Sequence, residues 1–282
     1  MKVMFYIVVV CFNAGDKLRA TLNNILEQDY SDYKIIVKDG ASGDDSYATL
    51  EREGFFAAHE NIVAVSNMDK GIYDGMNQAL EVMRDMVRSE KTKCMQYVQF
   101  LNCGDFFHDK DVLKNTANAI MSTDLDKPAI YYGDQFNLQT GSVVSSAPVL
   151  DDFALYRNVP CHQVCFYDAS LFMERGYDIR YIVRADYEHF LNAVYEQKAE
   201  TVHMDIIVSD YEGGGFSETK KNRKLSESEH REITGYYQGS AADKYRLIMI
   251  LTLSGVRRRL AESKTFSKVY NKIKTRVYTG PK

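Results

Sequence analysis

The sequence contains little proline and no apolar segment long enough to cross a membrane. Only 4 of its 282 residues are proline, while 45% are hydrophobic and 26% are charged. This composition argues against extensive disorder. The N-terminal segment MKVMFYIVVVCFN is strongly apolar, but it lacks a small-residue cleavage site and is rich in β-branched and aromatic residues. It is therefore predicted to be a buried strand, not a signal peptide.

The sequence also lacks a regular cysteine framework. Five cysteines stand at positions 11, 94, 103, 161 and 165, and an odd number without regular spacing is typical of reduced thiols in a cytosolic protein. Cys161, His162 and Cys165 could belong to a metal site, but no second Cys/His pair at zinc-finger spacing accompanies them. Ordinary core cysteines are the favoured interpretation.

A glycine-rich phosphate loop is missing as well. After the first predicted strand the chain reads CFNAGDK, which matches neither G-x-G-x-x-G nor a Walker sequence. This disfavours a dehydrogenase or a P-loop ATPase.

Charge is distributed unevenly along the chain. From Val256 to Lys282 there are nine Lys or Arg residues and one Glu, so this tail carries +8; because the whole chain carries −4, the preceding 255 residues carry −12. Four apolar residues recur in the tail at helical spacing: Phe266, Tyr270, Ile273 and Val277. A basic amphipathic helix can lie on an anionic membrane surface, or it can pack its apolar stripe on the rest of the protein. Nucleic-acid binding is not expected, because the body of the chain is acidic.

Strand-like and helical segments alternate through the first half of the sequence. The strands VMFYIVVVC, YKIIVKD, NIVAVS and MQYVQFL are separated by helical patterns, which predicts a mostly parallel sheet covered by helices on both faces. Each strand is followed by a polar or small-residue loop: FNAGD, KDGASGDD, SNMDKG and NCGD. Since ligands bind beyond the carboxyl ends of such strands, these four loops are expected to line one crevice.

The second half is less regular. AIYYGDQF and SVVSS predict a hairpin, VRADYEHFLNAVYEQ a helix, and TVHMDIIVSDY a strand. We expect one α/β domain over residues 1–217, with two halves at about 1–107 and about 108–217. Residues 218–282 are expected to form a helical, basic C-terminal extension.

Several of these segments, taken in order, resemble the family 2 glycosyltransferases, whose α/β fold is called GT-A. The resemblance covers roughly residues 1 to 217 and rests on the first strand–helix–strand unit together with DKGIYDGMNQAL, FLNCGDFF, YYGD, HQVCFY and ADYEHFL. Members with a similar pattern build bacterial surface polysaccharides. The resemblance implies an inverting transfer of a hexose from a UDP-sugar to a lipid-linked oligosaccharide or polysaccharide. It also implies that residues 1–107 form the nucleotide-sugar half and residues 108–217 the acceptor half of a catalytic domain.

Eight residues in these segments are predicted to bind the nucleotide sugar: Asn13, Asp39, Asp69, Lys70, Asp74, Asn77, Asn102 and Asp105. Asp39 occupies the family's place for a carboxylate that contacts the base or ribose, where two acceptor oxygens suit N–H groups or hydroxyls. The alternative is an Asx-turn before Gly40. Lys70 is placed to meet phosphate, or else is a solvated surface residue.

Asp105 matches the last carboxylate of the family's Asp-x-Asp metal motif, so the resemblance implies Mn²⁺ or Mg²⁺ as cofactor. Here the sequence departs from the family, because Asn102 and Gly104 stand where fuller motifs carry acids. One carboxylate can suffice when diphosphate oxygens and waters complete the coordination, but metal affinity without nucleotide should then be weak. A helix-capping role for Asp105 is compatible with metal binding.

Asp186 aligns with the acid that the family uses as general base, which removes a proton from the acceptor hydroxyl. The alternative is an acidic residue that interacts with the dipole at a helix N-terminus. Glu188 should face elsewhere, since residues two apart do not share a helical face. His162 and Gln163 match a pair that is expected near the acceptor or donor sugar.

Two other functions remain open at this point. The thinned metal motif is compatible with a sugar-nucleotide-binding module without turnover, and a sugar-phosphate nucleotidyltransferase would also use an α/β sheet and a metal. The expected location is cytoplasmic, on the inner face of the plasma membrane, with the basic tail as a peripheral anchor.

Overall fold

The computed structural model describes residues 2–91, 93–213 and 220–252. The predicted basic helix between Val256 and Lys282 lies outside these residues. Nine strands form one sheet: β1 (Lys2–Cys11), β2 (Tyr33–Asp39), β3 (Ile62–Ser66), β4 (Cys94–Phe100), β5 (Phe106–Phe107), β6 (Ala129–Asn137), β7 (Ser142–Val144), β8 (Cys165–Asp168) and β9 (Glu200–Tyr211).

Eight helices are found in the described residues: α1 (Lys17–Leu26), α2 (Ser46–Arg52), α3 (Ile72–Ser89), α4 (Val112–Ser122), α5 (Asp152–Arg157), α6 (Ala185–Tyr195), α7 (Lys220–Gln238) and α8 (Ser240–Leu251). Two short 3-10 turns, His162–Val164 and Ala169–Phe172, flank β8. The predicted α/β fold is confirmed.

Four parallel strands form the first half of the sheet, in the order β3-β2-β1-β4. Strand β1 is buried along almost its whole length, because helices cover parallel strands and leave no polar face. This burial explains why the sequence of β1 is a continuous apolar run. Strand β2 pairs with one side of β1, and β4, which comes later in the sequence, pairs with the other side. Loops diverge at such a switch point and leave a crevice beyond the strand ends.

Mixed pairing characterises the second half of the sheet. Strand β8 pairs antiparallel with β4 and with β6, whereas β6 pairs parallel with β9. The predicted hairpin is found as β6 and β7. The register of β6 and β9 shifts around Gly133, where a Cβ would lie 2.6 Å from the carbonyl oxygen of Ile206. Only glycine permits this close approach of two backbones.

Helix α7 packs on the body of the protein, against α5 and α6. It buries Ile233 fully, and His230 Nε2 lies 2.6 Å from the carbonyl oxygen of Tyr156. Helix α8 instead leaves Leu247, Ile250 and Leu251 more than half exposed. Within the described ranges, no helix is both long and apolar enough to span a membrane.

Candidate active site

A cavity of about 850 Å³ opens beyond the carboxyl ends of the parallel strands. The expectation that four strand-exit loops line one crevice is confirmed, since residues from all four contribute to its wall: Asn13, Gly40, Asp69, Lys70, Asn102 and Cys103. The opposite wall is formed by residues that precede α6: Ile179, Tyr181 and Ile182. A concave site of this size suits a ligand as large as a nucleotide sugar.

Asp39 is buried beneath the loop that follows β2 and does not line the cavity. Its carboxylate accepts hydrogen bonds from the Ser42 amide at 3.0 Å and from Ser66 Oγ at 2.6 Å. Burial opposes ionisation of Asp39, but the bonds from Ser42 and Ser66 outweigh it and lower the pKa. In this structure Asp39 orders its loop, and its contact with a nucleotide stays a prediction.

Asn13 joins the loops that follow β1 and β2. Its Oδ1 accepts a hydrogen bond from the Gly43 amide at 2.9 Å, and its own amide donates to Ser42 Oγ at 2.8 Å. The backbone of Asn13 has a φ of 49°, a left-handed conformation that asparagine tolerates better than most residues. Asn13 thus lies at the cavity as predicted, and it fixes the shape of two lining loops.

Lys38 is a buried cation that the sequence analysis missed. Its side chain is fully buried, and Nζ donates to the carbonyl oxygens of Asp39 and Asn67, each at 2.7 Å, and to Asp69 Oδ2 at 2.9 Å. One ammonium group therefore ties the end of β2 to the loop that follows β3. The available signal was the second lysine of YKIIVKD, which follows three apolar residues and directly precedes Asp39.

Three of the predicted residues lie in the loop before α3 or in its first turn, and all three line the cavity: Asp69, Lys70 and Asp74. Asp69 Oδ1 accepts a hydrogen bond from the Gly71 amide, and Asp74 Oδ2 accepts one from the Lys70 amide. Both carboxylates therefore satisfy backbone donors at the helix N-terminus, which helices otherwise leave unpaired. The side chain of Lys70 is exposed in the cavity wall.

Asn77 lies outside the cavity lining, unlike Asp69, Lys70 and Asp74. Its side-chain amide donates to the Tyr177 carbonyl and accepts from the Tyr177 amide, both at 2.8 Å. This pair of bonds holds the chain before α6 against α3. The prediction that Asn77 binds the nucleotide sugar finds no support in this geometry.

Asp105 is 6% exposed and receives hydrogen bonds from the Gln163 side chain and from the Glu212 amide. Burial raises the pKa of Asp105 to about 6, while the Glu212 amide acts in the opposite direction. Asn102, three residues before Asp105, lines the cavity. Its buried Oδ1 has no hydrogen-bond partner in the described part of the chain.

These residues fit a divalent cation that is held jointly with a ligand. A carboxylate and an amide oxygen are suitable donors for Mg²⁺ or Mn²⁺. Asn102 lines the cavity and Asp105 does not. Burial outweighs the two hydrogen bonds to Asp105, so a cation would favour its ionised form. No cluster of three or more His, Cys, Asp or Glu side chains suited to a metal occurs among the described residues.

Lys17 is a second cation that the sequence analysis did not identify. It is the first residue of α1, lines the cavity, and forms an ion pair with Glu212. Both side chains of this pair are about half exposed, so the pairing is weak and exchangeable. Lys17 and Lys70 give the cavity two exposed positive charges.

Asp186, in the first turn of α6, is held by three donors. Tyr73 Oη lies 3.0 Å from Oδ1, the Tyr187 amide 2.8 Å from Oδ1, and His162 Nδ1 3.0 Å from Oδ2. Burial opposes ionisation of Asp186, but His162, the Tyr187 amide and Tyr73 together lower the pKa below its ordinary value. Asp186 is therefore a carboxylate at neutral pH.

Glu188 faces away from Asp186, as predicted. It is buried in an ion pair with Arg175 and accepts a hydrogen bond from Tyr237 in α7 at 2.5 Å. These contacts give it a packing role.

His162 and Gln163 link the two acidic residues of the site. His162 contacts Asp186 through Nδ1, while its buried Nε2 has no hydrogen-bond partner in the described part of the chain. Gln163 donates to Asp105 and accepts a hydrogen bond from Gln135 at 3.1 Å. The HQ pair therefore lies between the predicted metal residue and the predicted base, and its place near a sugar stays a prediction.

The comparison with protein families identifies the chain. Residues 6–165 match the model of glycosyl transferase family 2. The chain belongs to this family. This family 2 glycosyltransferase is 29% identical over 220 residues to a PGL/p-HBAD biosynthesis glycosyltransferase of Mycobacterium tuberculosis. The aligned segment covers 77% of this chain and 80% of that protein. The chain is 23% identical over 229 residues to the UDP-Glc:alpha-D-GlcNAc-diphosphoundecaprenol beta-1,3-glucosyltransferase WfaP of Escherichia coli, covering 79% and 83%.

Solved structures agree on the fold of this glycosyltransferase. TarS 1-349 of S. aureus, in complex with UDP-GlcNAc, superposes with a TM-score of 0.61 at 15% identity, covering 94% of this chain and 74% of that one. The mannosyltransferase PcManGT of Pyrobaculum calidifontis, in complex with GDP-Man and Mn²⁺, gives 0.58 at 12% identity, covering 100% and 89%. The GT-A fold is thereby confirmed.

The role of Lys38 can be tested by Lys38→Met, which keeps the length of the side chain and removes the charge. Two backbone carbonyls and Asp69 would lose their shared donor, and breaking a buried ion pair from one side typically costs about 3–5 kcal/mol. We expect the free energy of unfolding in urea to fall by that amount. Lys34→Met, on the same strand but with one bond to the Glu60 carbonyl, is the control. Equal stability of the two variants would contradict the assigned role.

Proposed function

We propose that this glycosyltransferase moves a hexose from a UDP-sugar to a lipid-linked oligosaccharide or polysaccharide, with inversion at the transferred carbon. Asp186 is the general base, and Asp105 binds a divalent cation, Mn²⁺ or Mg²⁺. The observation that carries the proposal is the hydrogen bond between Tyr73 and Asp186. Because Tyr73 lines the cavity, the ionised carboxylate of Asp186 lies at the edge of the cavity. An acceptor hydroxyl beside that edge would meet a base next to the bound donor.

The donor assignment rests on the cavity and on the relatives. The volume of about 850 Å³ and the exposed charges of Lys17 and Lys70 suit a sugar attached to a diphosphate. WfaP carries UDP-Glc in its name, and TarS was solved with UDP-GlcNAc. These two proteins support UDP, while the more distant PcManGT, at 12% identity, was solved with GDP-Man.

Residues of the chain itself would accept the proton of the acceptor hydroxyl and stabilise the negative charge of the leaving diphosphate. Asp186 accepts the proton of the acceptor hydroxyl while that oxygen attacks the sugar from the face opposite the diphosphate. His162 and Tyr73 keep the carboxylate ionised and oriented before the attack. Lys17 and Lys70 attract the departing diphosphate. A bound cation would supply further neutralisation of the leaving group, and Asp105 with Asn102 would hold it.

A membrane-bound acceptor is supported by two features of the C-terminal part. WfaP acts on a diphosphoundecaprenol-linked sugar, as its name states. In this chain the exposed apolar residues of α8 immediately precede the basic tail in sequence. Apolar side chains followed by clustered Lys and Arg suit the headgroup region of an anionic leaflet. Peripheral binding would bring the cavity to a lipid-linked glycan.

Asp186→Asn tests the catalytic base. The substitution keeps the shape and removes the basicity, so turnover should fall by ~10²–10⁴-fold while UDP affinity barely changes. Because the pKa of Asp186 is lowered, the carboxylate stays ionised between about pH 5.5 and pH 8, and the ratio of wild-type to variant turnover should be constant there. UDP release and calorimetry measure both quantities. Near-normal turnover in the variant would exclude Asp186, and exposed Asp205→Asn is the matched control.

The metal role of Asp105 is tested by Asp105→Asn. In the wild type, Mn²⁺ should tighten UDP binding measured by calorimetry; in the variant this dependence should disappear. The fold should survive, because the raised pKa means that the ionised form of Asp105 lowers stability above about pH 6 and its removal does not destabilise the protein at neutral pH. Asp124→Asn, an exposed carboxylate, is the control. Unchanged metal dependence would refute the assignment.

Membrane attachment is tested by co-sedimentation with anionic and neutral phospholipid vesicles. One variant replaces six basic residues of the tail with Gln: Arg257, Arg258, Arg259, Lys268, Lys272 and Lys274. Each basic group near an anionic surface contributes about 1 kcal/mol, so binding to anionic vesicles should be lost. The matched control replaces six exposed lysines of the body: Lys91, Lys93, Lys110, Lys127, Lys198 and Lys224. Equal retention of both variants would rule out the tail as the anchor.

A further inference from the structure

Glu229 in α7 binds the backbone just before the helix that carries Asp186. Its Oε1 accepts a hydrogen bond from the Ile182 amide at 2.8 Å, and its Oε2 accepts bonds from the Val183 and Arg184 amides at 3.0 and 2.9 Å. The residue is 6% exposed. A carboxylate that receives three backbone donors is a strong and directional restraint, because charge-assisted bonds exceed neutral ones in strength.

Two further contacts join the same segment to α7. Arg184 Nε donates to the Ser226 carbonyl at 2.9 Å and to Ser226 Oγ at 2.8 Å. The hydroxyl of Tyr181 lies 3.1 Å from Glu232 Oε1. We call residues 181–184 the base segment. Each of its four residues thus forms a hydrogen bond to α7.

The base segment also contacts the cavity and the catalytic carboxylate. Tyr181 and Ile182 line the cavity. The Val183 carbonyl accepts a hydrogen bond from Tyr73 Oη at 3.0 Å, the same hydroxyl that contacts Asp186. A single residue separates the base segment from Asp186. A displacement of the segment would therefore move the base, its tyrosine partner and one wall of the donor site together.

We propose that Glu229 is a positioning residue for the transfer reaction: from the C-terminal part of the chain, it fixes the base segment and thereby the orientation of Asp186. This inference rests on the proposed function, because it assigns Glu229 to the base named there. It also gives α7 a part in catalysis, although α7 lies beyond residues 6–165 that match the family model.

Glu229→Gln in the full-length chain tests the restraint directly. The substitution keeps the size of the side chain, but its NH₂ group would face a backbone donor and its charge is gone. Amide hydrogen exchange of a peptide that spans residues 181–187 should become faster than in the wild type. Glu227→Gln, an exposed position on the same helix, should leave the exchange of this peptide unchanged. Unaltered exchange in Glu229→Gln would overturn the proposal.

A double-mutant cycle tests whether the restraint acts through Asp186. UDP release is measured with the UDP-sugar that the wild type turns over fastest in a panel. Glu229→Gln should lower kcat by roughly 10- to 100-fold, as small misplacements of catalytic groups do. In the Asp186→Asn background it should lower kcat less than about threefold, because residues that act as a unit are not additive. Equal losses in both backgrounds would show a general structural role and would overturn the inference.

The failure of the proposed function is distinguishable from the failure of this inference. No UDP release by the wild type from any UDP-sugar, or normal turnover by Asp186→Asn, would contradict the proposed function. The exchange rate of the base segment is measured without substrate, so it reports on Glu229 in either case.

Discussion

The three donors that hold the carboxylate of Asp186 come from different parts of the fold, and the site depends on their convergence. Tyr73 belongs to α3 in the first half of the sheet, His162 to the turn before β8 in the second half, and the Tyr187 amide to α6 itself. The carboxylate has an oriented environment only when both halves of the sheet are packed together. Precise assembly of the core is thus a condition for the chemistry.

Two carboxylates of the candidate site have pKa values shifted in opposite directions, and hydrogen bonding accounts for the difference. Asp186 has a lowered pKa because donors outweigh its burial, whereas Asp105 has a raised pKa because burial prevails. Divergent environments of this kind commonly separate the tasks of paired acids. A carboxylate that stays ionised at neutral pH is available to accept a proton, and a carboxylate whose ionisation is opposed by burial is stabilised by a cation.

The sequence predicted the parallel half of the fold well, because buried parallel strands such as β1 are continuous apolar runs and their exits carry polar loops. It also singled out Asp186 and the HQ pair, through the resemblance of short segments to a family, and the structure joins them by the contact of His162 with Asp186. It did not predict Lys38, Glu229 or the use of Asn77, because these roles depend on partners far away in the chain: Asn67, the base segment and Tyr177. Local patterns carry no information about such partners.

The base segment is held by a helix, α7, that is synthesised after it. Glu229 follows Val183 by 46 residues, so a growing chain contains the whole family-matched region and Asp186 well before their restraint exists. Domains generally fold as they emerge, N-terminal part first, and the parallel sheet can form in that interval. The cavity wall formed by Tyr181 and Ile182, and the environment of Asp186, would be fixed only afterwards. Both would be completed by α7, which is made shortly before the segment that is proposed to meet the membrane.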